Sequence, residues 1–426
     1  MATLRQRRQA SPQDRDRAAA AAAAERGRRE RLGRRGGFAA AALAFAATML
    51  GTTIPTPLYD LYRQRFGFSE LMITVIFATY AIGVIAALTL FGRLSDEIGR
   101  RPLLLAGLAL SALSAGAFLT VEGLALLLLG RLLSGLSAGI FTGSATATLV
   151  DLGPPAGRAR ATLIATVVNM GGLGLGPLLA GLLSQWAVAP LRLPFWVDLG
   201  VLAPAILGVW AMPEPVRRAE HPRWRPQSVQ VPAEIRPVFI RAAIAGFAGF
   251  AVLGLFTAVA PAFLGQELAI HSRATIGLVV FAVFGASLAG QLSLQLVDQQ
   301  RALAAGCGGL IAGMAALAAG LAASSLALLV LGAVIAGLGQ GLSFRAGLDQ
   351  INAAAPAERR AQIDSSFFVV AYVAISLPVI GEGALAQLWG LRPAGLTFVG
   401  VVALLSAVAL ALLARAGGGK RATRAE

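Results

Sequence analysis

Residues 92–104 read GRLSDEIGRRPLL, a short and densely charged stretch set between two runs that carry no charge at all. The run before it extends from Leu71 to Gly92 and the run after it from Pro102 to Val121. A membrane-crossing helix needs about 20 apolar residues, because ~30 Å of hydrocarbon is covered at 1.5 Å per residue. The charged stretch therefore reads as a tight polar loop between two spans. Working outward, similar runs recur at Gly36–Tyr59, Leu124–Val150 (interrupted by Arg131), Ala161–Trp186, Leu193–Met212 (broken by Asp198), Ala242–Leu264, Ala274–Val297, Ser365–Trp389 (which holds Glu382) and Pro393–Ala414. Between Arg301 and Arg345 lie 43 uncharged residues, enough for two spans divided near Ala322–Ser325. The total is twelve, and the fold class is an all-α membrane protein.

Composition agrees. Of 426 residues 57% are apolar and 13% charged, and the mean hydropathy is +0.72, against roughly 45–50% and about 25% in soluble domains. The net charge of +15 sits in short clusters between uncharged runs, which is how topology is written, so nucleic-acid binding is not implied. A single cysteine, Cys307, excludes a disulfide framework and a cysteine-rich metal site. His221 and His271 lie 50 positions apart, too far for the helix face of a zinc peptidase, and the only lysine, Lys420, has no phosphate loop around it. No metal, no cofactor and no ATPase module is expected.

An even number of crossings puts both termini on one side. With that side cytoplasmic, 29 of the 36 basic residues are intracellular, eleven of them in residues 1–35, and five are extracytoplasmic: Arg63, Arg65, Arg192, Arg273 and Arg392. The positive-inside rule then places both termini in the cytoplasm and the chain in the plasma (inner) membrane. The first apolar run, 24 residues long, exceeds the core of a cleavable signal and reads as a retained anchor. The basic arm before it is either a surface helix on anionic headgroups or a disordered tail that enforces topology.

At an offset of 202 positions the chain resembles itself: Gly130, Gly135 and Gly139 recur as Gly332, Gly337 and Gly341, Pro154 and Arg158 as Pro356 and Arg360, Gly181 and Gln185 as Gly383 and Gln387. The expected organisation is an arm (1–35), a six-helix bundle (36–212), a cytoplasmic linker (213–236), a second bundle (237–415) and a tail (416–426). Two like-oriented bundles can rock about a shared axis, so that a site between them faces each side in turn.

The loop at Gly92 resembles the conserved loop between helices two and three of the major facilitator superfamily, G-x-L-a-D-r-x-G-r-k. Gly92, Leu94, Asp96, Gly99, Arg100 and Arg101 match, while Ser95 and Glu97 depart. The resemblance implies two pseudo-symmetric six-helix bundles and a gating role for the loop, in which Asp96 contacts the other half in the outward-facing state and an arginine pairs with Asp151. The fourth span, with Arg131 and Gly135, is similar to a motif of the family's proton-coupled drug exporters, although Ser134 replaces the usual glutamine. GLGLGPLLAG in the fifth span looks like the antiporter motif, with Gly172, Gly176, Pro177 and Gly181 matching. The acidic first-span motif of such exporters is lacking, since TTIPTPLYDLY stands there instead.

A proton-driven carrier needs a carboxylate that changes protonation during its cycle, and a membrane-embedded acid with alternating access to water can serve. Glu382 is deepest in an apolar run and aligns with Ala180, which places it on the seam equivalent to the Gly-Pro segment. Asp349 stands four residues after Arg345, on one helix face, as a local ion pair near the cytoplasmic part of the cavity. Asp198 is expected to be interfacial, Asp60 to lie at the outer mouth, and Asp298 at the inner surface beside Arg301. Tyr80, Asn169, Gln291, Gln295, Phe368 and Tyr372 are candidate cavity liners.

These readings lead to a secondary active transporter working by alternating access, exporting a small amphipathic or organic solute against protons. The alternative is a proton symporter importing a sugar, organic acid or other nutrient. An intramembrane aspartyl protease using Asp60 and Asp349 is the remote third reading, because the topology puts those acids about a bilayer apart. The expected partners are a small-molecule substrate, protons and the lipid bilayer, with no nucleic acid and a monomer as the working unit.

Overall fold

The structure, a computed structural model, describes residues 32–422 except 93, 155–156, 217–225 and 228, and leaves the side chains at 300 and 417–422 undescribed. Most of the arm at 1–35 and the middle of the linker at 213–236 therefore lie outside the described residues. Within them, twelve helices are long and apolar enough to span a membrane. They are α1 (Arg34–Phe66), α2 (Glu70–Phe91), α3 (Arg100–Leu119), α4 (Leu124–Leu152), α5 (Arg158–Trp186), α6 (Leu193–Ala211), α7 (Ala233–Ala258), α8 (Arg273–Leu296), α9 (Arg301–Ala323), α10 (Leu326–Ala354), α11 (Ala357–Trp389) and α12 (Leu391–Ala416). Twelve crossings bring both ends of the described chain to one face, here the terminal face; the other is the distal face.

Several helices outrun their apolar stretches. The first continues beyond Tyr59 as an amphipathic turn, Tyr59–Phe66, closed by Gly67 in the left-handed region at φ 70°. A short helix, Ala260–Gln266, extends α7 at the distal face. Helix starts follow ordinary capping chemistry: the hydroxyls of Ser69 and Ser272 accept from Met72 N and Thr275 N, each at 3.2 Å, at the equivalent starts of α2 and α8.

Bundle packing rests on glycine, as it must where lipid offers no hydrophobic drive between helices. A Cβ on Gly135 of α4 would fall on the Tyr80 carbonyl of α2, and a Cβ on Gly341 of α10 would fall on the Ser287 carbonyl of α8. The 202-residue repeat thus seats α4 on α2 in one half and α10 on α8 in the other. A second set of glycines joins the halves: Gly181 of α5 meets the Arg273 carbonyl of α8, and Gly383 of α11 meets Thr74 of α2. The inter-half seams are therefore α2 with α11 and α5 with α8.

Gly135→Val should cost about 1–3 kcal/mol by overpacking against immovable backbone. Gly200→Val, on a face where an added Cβ meets nothing within 4 Å, should not. Thermal unfolding of the two purified variants in detergent, followed by tryptophan fluorescence, measures the difference.

Candidate functional site

The loop between α2 and α3 folds as a short helix, Leu94–Ile98, followed by Gly99 at φ 101°, a conformation open to glycine and strained for other residues. Arg100 then becomes the hub. Its guanidinium pairs with Asp96 Oδ1 at 2.8 Å and with Asp151 Oδ2 at 3.1 Å, and it bonds the Ser95 hydroxyl. The Glu214 carboxylate accepts from the backbone N–H groups of Arg100 and Arg101 at 2.8 and 3.1 Å, on the positive end of α3. The Asp96 side chain is 64% exposed and turns to Arg100 on its own loop. Gln227 crosses the terminal face: its N–H donates to the Thr89 carbonyl at 2.7 Å and its side-chain amide to the Ala361 carbonyl of α11 at 2.9 Å.

On the distal face the halves are latched. Gln266 donates to Glu70 at 2.6 Å, Arg273 N–H donates to Gln185 Oε1 at 2.7 Å, and the Arg273 side chain bonds the Ser184 carbonyl. Of the α5 motif, Gly172 and Gly176 press on α1 backbone, whereas Gly181 and the Pro177 carbonyl meet α8.

Arg131 is 2% exposed and lies within the N-terminal bundle. Pro55 and Pro57 remove two N–H donors from α1, which breaks into a turn and a short 3₁₀ segment at Thr56–Leu58. Arg131 serves that break: it donates to the Thr52 carbonyl at 2.7 Å and to the Phe77 carbonyl at 3.3 Å. Its guanidinium carbon also lies 4.6 Å from the centroid of the Tyr80 ring. Tyr80 in turn meets Tyr372 of α11 edge-on across the seam, with centroids 6.1 Å apart. Phe368 and Tyr372 pack against the core of the opposite half. At the other seam Ser287 of α8 lies between the Met170 sulfur of α5, at 3.8 Å, and Gln340.

The remaining candidates separate. Gln291 is buried, Asn169 is half-buried on α5, and Gln295 is exposed in the closing turn of α8. Arg345 and Asp349 form a half-exposed pair at 3.4 Å near the terminal end of α10. Asp60 is at the distal end of α1, bonded to Arg63 at 2.9 Å and Gln64 at 2.6 Å, so the two acids of a protease site occupy opposite ends of the molecule.

Two expectations are corrected. Glu382 does not face the seam; Gly383 does, and one residue of helix turns the carboxyl about 100° into the C-terminal bundle, where it is 2% exposed. Asp198 is not interfacial: it is 2% exposed and packs on Gly51 of α1, whose missing side chain leaves room for the carboxylate. Among the described residues neither oxygen of Glu382 has a hydrogen-bond partner, and no group of three or more His, Cys, Asp or Glu converges.

The family profile of the Major Facilitator Superfamily matches residues 38–379. Comparison with curated protein sequences gives no match. Many solved structures are similar in fold, three of them as follows. The human organic anion transporter MFSD10 (TETRAN) aligns at TM-score 0.63 and 19% identity, over 90% of this chain and 100% of that one. A mutant of the nucleoside transporter NupG aligns at 0.71 and 14%, over 88% and 99%. A bacterial homologue of the human lysosomal transporter Spinster, inward-facing and unoccupied, aligns at 0.68 and 18%, over 90% and 97%.

Arg131→Lys keeps the charge but not the fork that serves two carbonyls. It should cost about 1 kcal/mol or more of stability. Faster amide exchange across residues 50–60, read by hydrogen–deuterium exchange mass spectrometry, marks the loosened break.

Proposed function

Because the chain belongs to the Major Facilitator Superfamily, a family of secondary transporters, we propose that it exports a small amphipathic organic solute by alternating access, driven by protons entering from outside. In this reading the terminal face is cytoplasmic, the membrane is the plasma (inner) membrane and the monomer is the working unit. The observation that carries it is the character of the two seams: Tyr80 meets Tyr372 edge-on at one and the Met170 sulfur meets the Ser287 hydroxyl at the other, aromatic and weakly polar contacts, with the Arg131 guanidinium against the Tyr80 ring. Such a surface suits a solute that is itself largely apolar with a few polar groups.

The distal latch and the disengaged Asp96 belong together. With the halves closed at Glu70–Gln266 and Gln185–Arg273, Asp96 stays on its own loop. Opening the distal face brings the terminal ends together, and Asp96 then exchanges its exposed position for the start of α11 in the other half, where a helix N-terminus attracts a carboxylate. Export rather than import is supported by the resemblance of the α5 segment to the antiporter motif. Proton coupling is supported by Glu382, a buried acid without a protein partner among the described residues, one position from the seam glycine.

A solute screen in proteoliposomes under an imposed pH gradient tests this reading. Glu382→Gln should abolish gradient-driven flux and leave a folded, inserted protein; normal flux would remove Glu382 from the mechanism. In cells, intracellular solute should be lower with the gene than without it, and a rise would mean uptake. Bridging Glu70→Cys to Gln266→Cys with a bis-maleimide, in a Cys307→Ala background, should stop transport.

A further inference from the structure

Glu382 lines a cavity of about 40 Å³ inside the C-terminal bundle, walled by Leu255 and Phe263 at the α7 end, Val279, Leu321, Leu329 and Gly395. All six helices of that bundle contribute, and all at their distal ends. By the measure in which one water needs about 10–15 Å³, the space takes about three. Every other lining side chain is apolar, so nothing on the walls can bond the carboxyl. A carboxyl held this way is costly unless water reaches it. Glu382 is seven residues from the end of α11, about 10 Å below the distal surface.

The roof over this space is polar. Arg392, next to the lining residue Leu391, donates to the Ser324 hydroxyl at 2.6 Å in the turn between α9 and α10, and pairs with Glu267 at 3.4 Å after the α7 extension. The three partners tie together the distal ends of the helices that form the walls. Glu267 and Arg392 are the charged groups standing above the pocket on α7 and α12, and they are engaged with each other.

We propose that the C-terminal bundle contains its own water-filled entry from the distal face to Glu382, roofed by the Arg392–Glu267–Ser324 clasp and separate from the seam along which a solute passes. Proton and solute then use different routes. They communicate through α11, where Glu382 faces the entry and Gly383 the seam against Thr74. The ligand is water and the proton it carries. This inference rests on the proton-coupled reading above, and the test separates the two.

Full-length protein is placed in proteoliposomes of uniform orientation, and carboxyl C=O bands are followed by infrared difference spectroscopy after a switch to heavy water on one side only. No solute is required. The band that disappears in Glu382→Gln belongs to Glu382, and in the parent its deuterium shift should follow the distal buffer. A Cβ on Gly395 would lie 3.9 Å from Glu382 Oε1 and 3.2 Å from Leu321, so Gly395→Leu fills the entry. It should slow the shift at least tenfold, whereas Arg392→Ala, which opens the roof, should speed it. Leu391→Phe provides a second filling variant if Gly395→Leu does not fold. Exchange that follows the terminal-side buffer, or is unchanged in a folded filling variant, overturns the entry even if Glu382→Gln has stopped flux. Flux that persists in Glu382→Gln while the band still obeys the distal buffer overturns proton coupling and leaves the entry standing.

Discussion

Close approach at glycine across the two inter-half seams is the constraint from which the rest of the structure follows. Gly181 lies on the Arg273 carbonyl and Gly383 on the Thr74 side chain, at positions related by the repeat, so the halves meet through two equivalent close contacts toward the distal face. Contacts this close leave no room for gradual deformation of the helices that make them. The distal latch, the Asp96–Arg100 pair and the Gln227 bridge on the terminal face are arranged around those contacts.

Span number, the division between α9 and α10 and the repeat were legible in the sequence, because alternation between charged loops and uncharged runs survives any arrangement of helices. The equivalence of Gly181 and Gly383 could be read from the 202-residue offset, and both are on the seams. Facing was not legible. In a helix that is apolar all round, no periodicity separates a bundle core from a seam, so the sequence does not tell the Glu382 face of α11 from the Gly383 face. The burial of Asp198 has no sequence signal, because depth along a helix says nothing about whether a glycine on its neighbour leaves space for it. Glu214 and Gln227 carried no signal, being single polar residues in a linker. The α1 break did have one, the two prolines of TTIPTPLY, but its partner Arg131 is 76 residues further on than Pro55 in the sequence.

Charge is distributed with a division of labour. Arg131, Asp198 and Glu382 are each sunk within a bundle, while the mid-membrane contacts between halves include aromatic and hydroxyl–thioether pairs. Uncharged pairs such as these part without stripping water from ions, which would raise the barrier to separating them. Charges that stay inside rigid bundles keep their environment through the motion.

The pairing of Arg131 with Thr52 also bears on how the protein is made. A lone arginine in a span opposes insertion by about 2.5–3.5 kcal/mol on biological scales, and the groups that receive it, the Thr52 and Phe77 carbonyls, belong to α1 and α2. Those helices leave the ribosome first. Chain order therefore presents the acceptors in the bilayer before the donor arrives, and a circular permutant beginning at α3 would have to thread its cation into lipid with no backbone waiting for it.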